Sequence, residues 1–192
     1  MKGLLTMVVI LSLATTATAA ERVVSIKDNV TILFEGPADR QWSPAPVPVF
    51  RCVARQGNGQ QGEVEIEQVF TPVTELASGI RVSLPQGWKF AARNLNDANS
   101  SKLHVRVQWN KAGPGYPRAV PVAVKEKLQT FSFVPAPGEW GRIPRANKIY
   151  LEFAGKSPGE TQTLMLAFNG KLIHRGLKDC RSKALAGRIA GR

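Results

Sequence analysis

Histidine and cysteine are almost missing from this 192-residue chain, which has two of each. His104 and His174 stand far apart, as do Cys52 and Cys180. A zinc site needs three or four such ligands, so neither a metal nor another cofactor is expected. No Cys-x-x-Cys is present, the spacing that lowers a thiol pKa for redox work. Acidic residues are few, 14 against 26 lysines and arginines, for a net charge of +12. Long apolar runs are lacking too. The strongest, Leu4 to Ala14, is interrupted by Thr6 and Ser12 and falls short of the about 20 residues that cross a bilayer as a helix. There is no internal repeat, no linker-like stretch and no evident amphipathic helix of three turns.

That short apolar run follows Lys2 and leads to Ala17-Thr18-Ala19, the layout of a cleavable secretory signal over residues 1–19. No cysteine lies at the cleavage site for lipid attachment, and no later segment is long enough to anchor. The expectation is therefore an exported protein of the periplasm or cell surface, without a transmembrane segment once the signal is removed. Export changes the reading of two other features. In an oxidising compartment Cys52 and Cys180 are expected to form one disulfide that pins the C-terminal segment beside an early strand. The positive charge, +11 without Lys2, points to an anionic envelope polymer such as lipopolysaccharide, or to an envelope protein partner, rather than to nucleic acid.

Period-two patterning dominates the rest. Leu103, Val105, Val107 and Trp109 alternate with His104, Arg106 and Gln108, one buried and one wet face of a strand. Val64 and Ile66 alternate in the same way with Glu63, Glu65 and Glu67. Further strand-like runs are 23–26, 30–34, 47–54, 80–84, 120–124, 131–134, 149–153 and 164–168. Asn169-Gly170 between apolar runs predicts a hairpin with a type I′ turn. Turn-formers such as Gly57-Asn58-Gly59, Pro85-Gln86-Gly87 and Pro135-Ala136-Pro137-Gly138 punctuate the runs, and Pro44-Ala45-Pro46-Val47-Pro48 suits an extended edge. The pattern predicts an all-β fold, an antiparallel β-sandwich (Ig-like or related) of about nine strands. It forms a single domain over residues 20–180. Residues 181–192, basic and without an acid, read as a flexible tail, or else as a short helix with Leu185 and Ile189 one turn apart.

Several motifs invite chemistry. Gly155-Lys156-Ser157-Pro158-Gly159 matches the Gly-x-Ser-x-Gly elbow, with Glu160 and His174 following. However, Pro158 has no N–H to lend to an oxyanion hole, and Tyr150 stands where a Walker loop needs its first glycine. The row Glu63, Glu65, Glu67 places carboxylates about 7 Å apart on one strand face, a formal glycosidase arrangement. The blander reading is neutralisation of cross-strand arginines. His104, on a polar face beside Arg106, reads as solvated. Two Gly/Pro-braced loops set aromatics beside arginines: Tyr116 with Arg118, and Trp140 with Arg142 and Arg145. These five residues form the candidate binding surface, suited to stacking and anion contact; the alternative is that the rings cap the sandwich. Trp42 and Trp88 take no assignable side.

Together these features predict an exported, non-enzymatic cell-envelope protein acting by surface binding. One route is the assembly or display of a surface structure, as a fimbria- or adhesin-like subunit or accessory factor that uses exposed strands. A second is an anionic-polymer module. A third, from another class, is a small glycan hydrolase.

Overall fold

The computed structural model describes residues 22–39, 47–88, 102–111, 115–125, 128–154 and 160–187. Outside them lie the expected export signal, Trp42, the Gly155–Gly159 motif and residues 188–192. Ten strands form: β1 (Arg22–Lys27), β2 (Val30–Asp39), β3 (Pro48–Asn58), β4 (Gly62–Phe70), β5 (Glu75–Ser83), β6 (Lys102–Trp109), β7 (Tyr116–Lys125), β8 (Leu128–Phe133), β9 (Lys148–Ala154) and β10 (Thr161–Ala167). Two helices, α1 (Pro137–Trp140) and α2 (Gly170–Leu185), and a 3-10 turn at Ile143–Arg145 complete the described chain.

Hydrogen bonding runs β1-β2-β3-β4-β5-β8-β7-β6-β9-β10, and every pairing is antiparallel. β7 is the corner of this order. Tyr116–Pro121 pair with β6, whereas Val122–Lys125 pair with β8. The result is an antiparallel β-sandwich of a six-stranded and a four-stranded sheet, as the alternation predicts. Val105, Val107 and Trp109 of β6 are buried, as are Ile149, Leu151 and Phe153 of β9. They join Phe34, Ala54, Ile66, Ile80 and Val82 of the six-stranded sheet in one core. Each large core side chain contributes about 1.5–3 kcal/mol by leaving water.

The hairpin expected at Asn169-Gly170 is not there, and the segment is the start of a helix. The type I′-like turn falls instead at Asp28-Asn29, both with positive φ, between β1 and β2. Asn169 caps α2: its side-chain oxygen accepts from the Leu172 N–H at 3.1 Å. Gly170 is needed for contact rather than for a turn, because a Cβ there would sit 1.7 Å from the carbonyl oxygen of Ile143. The apolar residues that follow have helical spacing, and Ile173, Leu177, Cys180 and Ala184 form the buried stripe of a 16-residue helix. A long helix is thus present after all, and it carries the chain to Leu185, into the segment expected as a tail from Arg181.

α2 covers β2 and β3 beside the four-stranded sheet. Gly176 passes so close to β2 that a Cβ would lie 2.5 Å from Ile32 Cδ1. The Cys52–Cys180 disulfide ties the helix to β3, with both cysteines fully buried. Gln56 of β3 accepts the Asn169 backbone N–H at 2.7 Å. Asn169→Ala is expected to lower stability by about 1 kcal/mol in urea unfolding, whereas Asn169→Asp, which keeps a capping oxygen, costs less. Equal losses for the two would show that the cap is not what Asn169 supplies.

Candidate functional site

The loop after β8 opens on Pro135-Ala136-Pro137, whose prolines cannot extend a ladder. Pro137 instead starts α1, and this short turn delivers Glu139 into the protein. Its carboxylate is fully buried and accepts three donors: Trp109 Nε1 at 3.0 Å, the Ala136 backbone N–H at 2.7 Å and the Arg118 guanidinium. Arg118 also donates to the Val134 carbonyl at 3.0 Å and lies 4.2 Å from the centre of the Phe133 ring. Its side chain is 13% exposed. Burial pulls its pKa below the ordinary arginine value, with Tyr116 acting in the opposite direction. Arg118 is therefore an internal cation that joins β7 to α1.

Two of the other candidate residues meet directly. Arg142 packs over the Tyr116 ring at 5.5 Å. Trp140 is half-buried against the core. Arg145 has an exposed side chain, while its carbonyl accepts from Asn110 Nδ2 at 2.9 Å. Two cations, Arg118 and Arg142, thus have partners within the fold. Trp88 packs against Phe153, ring centres 6.2 Å apart.

On the outer face of the six-stranded sheet the glutamate row meets three arginines. Glu65 is bound by Arg55 at 2.9 Å and by Arg81 at 3.0 Å. Arg51 reaches Glu35 at 2.7 Å and Glu67 at 2.9 Å. Burial acts to lower the Arg51 pKa, but hydrogen bonds and charge from Glu35 and Glu67 outweigh it, and the net shift is upward. Cross-strand pairs such as Arg55 opposite Glu65 opposite Arg81 account for this lattice. Both oxygens of the central Glu65 carboxylate are thus engaged by guanidiniums. His104 is exposed in a hollow of about 470 Å³ that is also lined by Arg118, Arg106 and Glu152, the last two 3.8 Å apart.

The two ends of the strand order differ. β1 is guarded by a bulge between Val23 and Ser25 and by Arg22 and Lys27, devices that discourage pairing with another chain. β10 has neither. Its sequence, Thr-Gln-Thr-Leu-Met-Leu-Ala, contains no charge and no proline. It pairs with β9 over seven successive positions without a shift. Thr161, Thr163, Met165 and Ala167 are exposed, with Met165 at 49%. Among the described residues no strand lies beyond β10.

Sequence reasoning did not find Glu139 or the place of β10 at the end of the described strand order. For Glu139 the cue was a proline at the first helical position with a glutamate two residues on. Being an edge depends on the neighbours a strand lacks, which its own residues do not encode.

No protein-family model matches the chain. No curated protein matches it either. Among solved structures, the chain is similar to the crystal structure of invasion associated protein B from Bartonella henselae, at 13% identity. That likeness covers 80% of this chain and 94% of the other with a TM-score of 0.44, too distant to carry any property across. Among the described residues no helix is long and apolar enough to cross a membrane.

Proposed function

We propose that this chain is an exported, non-enzymatic envelope protein that joins a surface assembly by accepting a partner's strand on the β10 edge. The observation that carries this reading is that β10 ends the strand order among the described residues, with seven regular, uncharged positions whose exposed face is threonine, methionine and alanine. Strand addition supplies affinity through main-chain hydrogen bonds and specificity through alternate side chains. The buried disulfide suits an oxidising compartment. The polymer alternative rests on Arg118, Arg142, Arg145 and the basic tail, and the internal partners of the first two weaken it. The hydrolase alternative is weakened by the arginines that hold Glu65.

A photo-crosslinking residue at position 163, in cells that export the protein, is expected to trap one envelope protein. Trapping should persist at high salt, and β10 amides should become protected from exchange in the complex. Met165→Lys together with Thr163→Lys should abolish binding and leave the melting temperature within a few degrees, because both side chains are exposed. A protein that stays monomeric with no crosslink from β10, or a complex that dissolves in salt, would sink the proposal.

A further inference from the structure

Beneath α2 lies a second feature, to which β10 contributes no lining residue. A cavity of about 340 Å³ opens between α2, β4 and the α1 to 3-10 segment, a size at the lower end of the roughly 300–1,000 Å³ typical of small-molecule sites. Its base is aliphatic: Ile66, Ile143, Ile173 and Leu177 are all buried, and half-buried Trp140 forms a wall. Its polar groups are nearer the mouth. His174 and Glu75 are exposed, and Gln68 is half-buried.

The lining itself holds no lysine or arginine, and the positive charge lies beside it on α2. Glu75, the one acid in the lining, is bound by Arg181 at 3.3 Å. Lys171 and Lys178 lie three residues before and four after His174, positions that flank it on the same face of a helix. Both are exposed, as is Arg175 between them. The nearby acid on α2, Asp179, is taken up by Lys183 at 2.8 Å. A buried aliphatic slot beside a row of cations matches a molecule with an apolar tail and an anionic head.

We infer that this cavity binds the acyl chain of an anionic amphiphile, whose carboxylate or phosphate head rests against His174, Lys171 and Lys178. The tail contributes by burial, so affinity rises about fourfold for each methylene until the slot is full. The head contributes a salt-sensitive preference for negative charge. This role is separate from strand addition, and either can fail alone.

Calorimetric titration of the full exported chain tests it, with probes kept below their micelle concentrations. Decanoate or decyl phosphate is expected to bind at one site, the two arms distinguishing a carboxylate from a phosphate head. Decyltrimethylammonium should bind at least tenfold more weakly, and hexanoate should be weaker than decanoate by more than tenfold. Leu177→Phe, which fills the slot, should remove binding. Lys171→Glu with Lys178→Glu changes only exposed side chains and should erase the preference for anions while some tail binding remains. Failure of both anionic probes to bind the parent protein overturns the inference. So does equal affinity for the cationic probe, or undiminished binding by a folded Leu177→Phe protein.

Discussion

Cys52→Ala/Cys180→Ala is expected to lose most of the protein's resistance to urea. The disulfide links residues 128 positions apart, and in the chain-entropy account closing so long a loop removes about 5 kcal/mol of freedom from the unfolded state. Domains of this size are stable by only about 5–15 kcal/mol, so the variant stands near its unfolding threshold. The loss has a local part as well. Both cysteines are fully buried, and the bond holds α2 across β3 where Ile173, Leu177 and Ala184 pack. Alanine is the appropriate replacement, since a buried serine hydroxyl would need a new partner. Denaturant titration, with the oxidised parent and the reduced parent as references, measures the effect. The expected result is a fall of about 4–5 kcal/mol in the variant and a similar fall on reduction. A change below about 1 kcal/mol would mean that packing alone seats α2.

Glu139→Ala is expected to cost about 3–5 kcal/mol, the range for breaking a buried ion pair by removing one partner. The carboxylate serves Trp109, Ala136 and Arg118 together, and its loss strands a largely buried guanidinium. Glu139→Gln should cost less, because an amide oxygen still accepts one of these bonds. Adding Arg118→Met to Glu139→Ala should recover part of the loss, since an apolar side chain of similar length needs no counter-charge. A double-mutant cycle in thermal unfolding reads the coupling. Additive losses from Arg118→Met and Glu139→Ala would show that the two side chains are not coupled in solution.

Much of the sandwich is legible in the residues themselves. Strict alternation in β6, with Val105, Val107 and Trp109 inward and His104 and Arg106 outward, is a local property of a half-buried strand. The glutamate row behaves likewise, because residues two apart on β4 share a face with the arginines of β3 and β5. Asn169-Gly170 shows where local reading stops. The same two residues can make a hairpin turn or a helix start, and the choice rests with Ala146, Ile143 and Gln56, which meet them only in the folded state. Tyr116, Trp140 and their arginines were visible as candidates, yet which cations face inward depends on where Glu139 lands.

From sequence alone come the all-β class, the absence of zinc-ligand spacing, the excess of positive charge and the expectation that Cys52 and Cys180 pair. Each depends on residue type and near-neighbour spacing. The tertiary structure alone decides that α2 completes the layer over β2 and β3, that Arg118 pairs with the buried Glu139, that β10 ends the strand order among the described residues and that a slot lies under α2. These depend on which distant segments pack together and which do not, and neither contact nor its lack is encoded in any short stretch of chain.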